Sequence, residues 1–249
     1  MVSIPKEVDS NEGLLLWLMG YLAEKFRNHA ILKGGMVLRL LNCPRFTNDL
    51  DYLFIPYKSK KDIKPMLEKA MGDIANSSFK LTMDSKCLRI IFSYGNMKVQ
   101  MEATVTDQCE SEAISNSNLA QRYQITSLLV NVQRRDVALA HKIAAWNERN
   151  LYRDLYDIYF FVSVLGVFPH LPALEQRLKK VFRGRVNKGI EMNLNELCGN
   201  LLEARENLST ETLTQELRPL LPENELLGLD LKIRVAIEQL VGFLSQSGK

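Results

Sequence analysis

The chain has 249 residues, of which 46% are apolar and 24% charged, a composition that excludes a disordered or fibrous protein and fits one large domain or two modest ones. Its formal net charge of +3 is too small for overall electrostatics to imply a nucleic-acid partner, so any basic surface must be local. Four cysteines (Cys43, Cys87, Cys109 and Cys198) follow neither a CxxC nor a His-paired zinc spacing and read as reduced thiols. The first residues, MVSIPKEVDSNEG, carry no basic leader, and 14-LLLWLM-19 is too short for a signal core. No stretch approaches the length needed to cross a bilayer, so the expectation is a soluble, cytoplasmic protein with no membrane partner.

Taken in chain order, residues 11–28 have apolar positions at helical spacing. A short strand, 30-AIL-32, leads into Gly34-Gly35 and a helical turn, MVLRLL. Residues 49–55 (DLDYLFI) read as a strand stopped by Pro56, and 60–74 as a helix with Pro65 in its first turns. Two further strands, 87-CLRIIFSY-94 and 97-MKVQMEATV-105, flank Gly95-Asn96, a strong hairpin signal. That turn fixes a register in which Tyr94 faces Met97 and Arg89 faces Glu102. It turns Met97, Val99 and Met101 to one side and Lys98, Gln100 and Glu102 to the other. ITSLLVNV (125–132) is a candidate last strand. Beyond it the pattern is helical, with segments at 136–148, 153–165, 173–183, 192–206, 209–219 and 229–246. A mixed half followed by a helical half predicts an α+β protein of two packed lobes with a cleft between them, divided at 1–132 and 133–249.

Asp49 and Asp51 stand at i and i+2 of a strand and so share a face, while Leu50 takes the other. Two residues advance about 6.7 Å along a strand, so both carboxylates can lean onto two cations about 3.5–4 Å apart, the spacing of phosphoryl-transfer sites. Glycines at 34 and 35 let the backbone approach a phosphate closely. Taken singly, a Gly-Gly is usually just a turn and a DxD usually a solvated strand edge. The order strand, Gly-Gly, short helix, then R-x-T-x-D-x-D on a strand is far more specific than either.

The run LKGGMVLRLL…RFTNDLD resembles the AbiEii-like nucleotidyltransferases, toxins of bacterial toxin–antitoxin and phage-defence systems within the DNA polymerase β-like superfamily. The segment 142-KIAAWNERNLYRDLYDI-158 resembles that family's second signature, a lysine helix followed by R-D-L-Y-D. The resemblance implies a polymerase-β-like mixed sheet flanked by helices, followed by a helical C-terminal lobe. It implies that Asp49 and Asp51 hold Mg2+, two ions in all, and that Gly34 and Gly35 cradle an NTP. It also implies Lys142 as a phosphate contact, with Asp154 or Asp157 completing the site. A third carboxylate on a neighbouring strand, which would touch the metal and take the proton of the attacking hydroxyl, is expected at Glu102, with Asp107 the weaker alternative. The acceptor implied is RNA, at the 3′ end of tRNA, and the effect is growth arrest relieved by a cognate antitoxin. One departure stands out: many members carry Thr or Ser after the glycines and this chain has Met36, which removes a hydroxyl donor.

Several residues keep two readings. Glu102 is either that third carboxylate or the partner of Arg89 in a cross-strand ion pair. Arg45 and Thr47 contact the base, ribose or triphosphate, or else cap the loop before the strand. Lys142 interrupts an otherwise apolar helix face, and Asp154 and Asp157 are three apart on the next helix. A helical hairpin turning near Asn150 puts Asp157 nearer the level of Lys142, whereas Asp154 has a second role as a helix N-terminal acid. The aromatics of YDIYFF (156–161) read as core, and His29, His141 and His170 form no metal cluster. The basic run RLKKVFRGR (177–185) reads as a solvated helix face or an RNA-backbone contact. Rival functions are transfer of a nucleotide or phosphate to a protein hydroxyl, and a non-catalytic module that holds a nucleotide or partner on the same fold.

Overall fold

The computed structural model of the chain describes residues 1–179, 181–182 and 189–247. The chain forms two compact units, Met1–Gln133 and Arg134–Lys249.

The first unit opens with α1 (Asn11–Phe26), whose first turn is capped by Ser10 accepting from the Gly13 amide at 3.2 Å. Its residues Leu14, Leu15, Leu16, Leu18, Met19 and Leu22 are all buried, as expected of a helix that is apolar nearly all round. There follow β1 (Ala30–Lys33), α2 (Gly35–Leu40), β2 (Asp49–Phe54) and α3 (Lys60–Gly72), the last started by a Ser59/Asp62 capping box. Then come β3 (Ser77–Met83), β4 (Leu88–Tyr94), β5 (Met97–Val105), β6 (Ser111–Ser115), α4 (Ser117–Arg122) and β7 (Leu129–Gln133).

The seven strands form one mixed sheet in the order β3-β4-β5-β2-β1-β7-β6. The central pair β2/β5 is parallel, as is β1/β7, and the remaining pairs are antiparallel. The β4/β5 hairpin has the predicted register, with Tyr94 opposite Met97 and Arg89 opposite Glu102. Gly95 alone of the two turn residues takes a positive φ (56°), the φ pattern of a type II′ turn. Four elements of this unit depart from the sequence reading. The outer strands β3 and β6 were not predicted, nor was α4, and pairing at the end of the sheet is confined to 129–133 instead of 125–132. Both missed strands are sheet edges, where one side of the strand has no neighbour to demand apolar residues. The SSFKLTM segment accordingly alternates between half-buried and exposed positions.

The second unit is mainly helical: α5 (Arg135–Arg149), α6 (Tyr152–Tyr159) continued by a π turn over Phe160–Val164, and α7 (Leu171–Leu178). Two short strands, Val181–Phe182 and Gly189–Ile190, pair where the sequence predicted helix to residue 183. The remaining helices are α8 (Leu194–Glu206), α9 (Thr210–Leu217), α10 (Glu223–Leu226) and α11 (Leu229–Ser247). Leu139, Ile143, Leu174, Leu201, Ile237 and Leu240 are among the residues of its core. Tyr156, Phe160 and Phe161 are buried there too, as read from the sequence. Part of the basic run at 177–185 lies outside the described residues. No helix among the described residues is long and apolar enough to cross a membrane, and all four cysteines are free thiols.

Candidate active site

Strand β2 alternates strictly: Leu50, Tyr52 and Phe54 go into the core, and Asp49, Asp51 and Leu53 to the opposite face. The alternation follows from the period of a strand, since burying three large apolar side chains on one face leaves both aspartates no choice of side. Sheet register then lines up charges across four strands. Asp51 stands opposite Lys33 of β1 and beside Glu102 of β5, and Glu102 stands opposite Arg89 of β4. Two carboxylates are thus flanked by two cations on one face of the sheet. Lys33, half-buried and next to the glycines, was not singled out from the sequence, because only the β1/β2 pairing brings it level with Asp51.

The Gly-Gly turn packs directly onto this face. Gly34 adopts φ 77°, ψ −150°, a conformation left to glycine, and a Cβ there would lie 2.3 Å from Asp51 Oδ2. A Cβ on Gly35 would lie 2.7 Å from Thr47 Oγ1 and 3.0 Å from Arg45 Nη2. Thr47 in turn donates its hydroxyl to Asp49 Oδ1 at 2.8 Å. Gly34, Gly35, Arg45, Thr47, Asp49 and Asp51 therefore form one constellation. Met36, one residue on, is fully buried in the hydrophobic core. What position 36 presents to the turn is its backbone.

Glu102 lies beside Asp51, but its Oε1 accepts from Arg89 Nε at 2.9 Å and from Gln100 Nε2 at 3.1 Å. Hydrogen bonding to Glu102 raises the Arg89 pKa further above its ordinary value.

A second polar network centres on Arg39 of α2. Arg39, buried on α2, donates Nε to Glu12 Oε1 at 2.8 Å, pairs with the same oxygen through Nη2, and gives Nη1 to the Cys43 carbonyl at 2.8 Å. The other oxygen of Glu12 accepts from the Tyr123 hydroxyl. Burial first, and then the bond to Glu12, pushes the Tyr123 pKa up to about 12. Arg39 is thus held by Glu12, distant in sequence, and by the nearby Cys43 carbonyl, and Tyr123 fixes Glu12 in turn. The sequence reading passed over it, although its signal was of the same kind that marked Lys142: a cation set in an apolar helical run, MVLRLL.

In the second unit, α5 and α6 form the predicted hairpin, turning through Asn150 in the left-handed conformation. Lys142 Nζ lies 2.5 Å from Asp157 Oδ2, and Asp157 is 1% exposed. Asp154, fully buried, is taken by Arg149 in a fork of two bonds, Nε at 2.6 Å and Nη2 at 2.7 Å. Asp154 therefore closes the hairpin, and Asp157 is the carboxylate that holds Lys142. This hydrogen bonding raises the Arg149 pKa.

Two half-buried aspartates on one strand face are the hard oxygen donors that magnesium takes. Among the described residues no three His, Cys, Asp or Glu side chains gather into a closed cage. A pair of carboxylates beside a turn open to phosphate suits an ion whose remaining ligands are substrate oxygens and water.

Comparison with known proteins bears on the fold and the family. MenT4, the nucleotidyltransferase toxin Rv2826c from Mycobacterium tuberculosis H37Rv, is similar over 95% of this chain and 85% of its own, at 16% identity and a TM-score of 0.61. JHP933 from Helicobacter pylori is similar over 96% of each chain, at 15% identity and a TM-score of 0.56. At these identities the likeness is one of fold. No curated protein sequence matches the chain. A model of the nucleotidyl transferase AbiEii toxin family of type IV toxin–antitoxin systems matches residues 17–235, so the mixed sheet is that of a nucleotidyltransferase, and the chain belongs to the AbiEii toxin family.

Proposed function

We propose that this toxin transfers a nucleotide from a magnesium-bound NTP to a hydroxyl of an RNA acceptor, at the 3′ end of tRNA, in the cytoplasm, under the control of a cognate antitoxin: the hydroxyl oxygen bonds to the α-phosphorus, the α–β phosphoanhydride bond breaks, and pyrophosphate leaves. The observation that carries the reading is the contact of the Gly34 turn with Asp51, which makes the phosphate-approach turn and the carboxylate pair one site. Asp49 and Asp51 would hold the ions, two in number, with Thr47 fixing the Asp49 carboxylate through its 2.8 Å bond. Bound there, magnesium supplies charge neutralisation at the phosphates and lowers the pKa of an attacking oxygen.

The chain's own part is positioning and electrostatics. Gly34 and Gly35 let the backbone meet the triphosphate, and Arg45, against Gly35, gives it a guanidinium. Glu102, in register with Asp51, is the third carboxylate of this reading, oriented by Arg89 and Gln100, and accepts the proton of the acceptor hydroxyl. Lys142 is assigned as a phosphate contact held in place by Asp157, and this rests on their 2.5 Å pair in a helix face otherwise apolar. Asp154, assigned with them from sequence, supports the hairpin through Arg149.

Incubation with each labelled NTP, magnesium and total cellular RNA tests the reading. Label should enter RNA with the native chain and fail to do so with Asp49→Asn. Label entering protein instead would favour transfer to a protein hydroxyl, and tight NTP binding without label in any polymer would favour a non-catalytic module.

A further inference from the structure

We infer that Phe46 is a stacking platform for a nucleobase. Its position comes from the loop between α2 and β2. Arg45 before it packs its guanidinium against Gly35, and Thr47 after it bonds Asp49, so Phe46 stands in the chain between two residues that touch the glycine turn and the carboxylates. The ring is nevertheless 41% exposed, although burying a phenylalanine would stabilise the fold.

Exposure here is not slack. The guanidinium of Arg39 lies 5.3 Å from the ring centroid, and that guanidinium is itself buried and fixed by Glu12 and the Cys43 carbonyl. The cation holds the ring by its quadrupole. The same Arg39 holds the Cys43 carbonyl, a few residues before Phe46, so one side chain sets both the loop and the ring. A planar aromatic surface held outward on an anchored backing is what a base needs, because every base offers a π face to stack. The neighbours Arg45, Thr47 and Asn48 are polar, so the loop offers one ring rather than the broad apolar patch a protein partner would require.

This inference rests on the nucleotide-binding reading of the same site. The base belongs either to the incoming NTP or to the end of the acceptor RNA, and one set of measurements separates them. Magnesium-NTP and magnesium-tripolyphosphate binding are followed by calorimetry, and the KM for RNA by label transfer, in the native chain, Phe46→Leu and Phe46→Trp. Leucine keeps apolar bulk and loses the ring face. Thermal unfolding checks that the exposed substitution leaves the fold intact.

If the base is the nucleotide's, Phe46→Leu weakens NTP binding about tenfold, leaves tripolyphosphate binding unchanged, and tryptophan restores the native value. If it is the acceptor's, both binding constants stay as they are and the KM for RNA rises about tenfold, again restored by tryptophan. Native-like NTP binding and RNA KM in Phe46→Leu, with tripolyphosphate still bound, overturn the stacking role alone. Failure of the native chain to bind either NTP or tripolyphosphate overturns the nucleotide reading and this inference with it.

Discussion

Gly34 and Asp51 lie so close that a methyl group on the glycine would stand 2.3 Å from Oδ2 of the aspartate. The turn and the strand are therefore fitted to each other, and the backbone of the turn reaches the carboxylate face with nothing between. Gly34→Ala is expected to abolish nucleotide transfer. It should also cost roughly 1–3 kcal/mol from the φ of 77° alone, with the clash in addition. Chemical denaturation beside a transfer assay measures both, and a variant with native turnover would mean that the turn does not set the site.

Asp49→Asn and Asp51→Asn are expected to remove transfer and toxicity while leaving the fold at native stability or slightly above it. The two carboxylates share one face of β2, so replacing either relieves mutual repulsion in the metal-free chain. Growth assays paired with thermal unfolding decide the matter. Full toxicity in either variant would remove the metal-holding assignment.

Glu102→Gln is expected to leave NTP affinity near native and to lower turnover by about 10²–10⁴-fold, the range of a general base. Arg89→Ala removes the donor that holds Glu102 Oε1 at 2.9 Å and should lower turnover by a smaller factor. Calorimetry and single-turnover rates on both variants give the answer. Native turnover in both, with only a small loss of stability, would make the pair purely structural.

Lys142→Ala is expected to weaken NTP binding and slow transfer together. It also deprives buried Asp157 of its ammonium, at a cost of about 3 kcal/mol or more. Lys142→Arg should restore stability better than activity, because the guanidinium fork differs in shape from a point charge. The double variant Lys142→Met with Asp157→Leu separates the two roles. It should recover much of the stability and none of the transfer, and recovered transfer would take Lys142 out of the reaction.

Much of this protein could be read from local order alone. The alternation of DLDYLF fixes which side of β2 carries Asp49 and Asp51, because a strand has a period of two and only one face can be buried. The Gly-Asn turn sets the β4/β5 register by its length, and so the Arg89–Glu102 facing. Counting along two helices joined at Asn150 brings Asp157 to Lys142, and the structure closes that pair at 2.5 Å. The edge strands β3 and β6 were illegible, since a strand with one neighbour needs little apolar pattern and its pairing is imposed by the sheet beside it. The partners of Arg39 were equally hidden: Glu12 comes to it from α1 and Tyr123 to Glu12 from the end of α4, and no spacing within MVLRLL announces them. The choice between Asp154 and Asp157 as the partner of Lys142 was settled by Arg149, which takes Asp154 for itself. Sequence determines which side chains share a face, because local geometry is periodic. Only the folded chain decides which charges meet across elements, because those meetings depend on strand order and helix packing that no local period encodes.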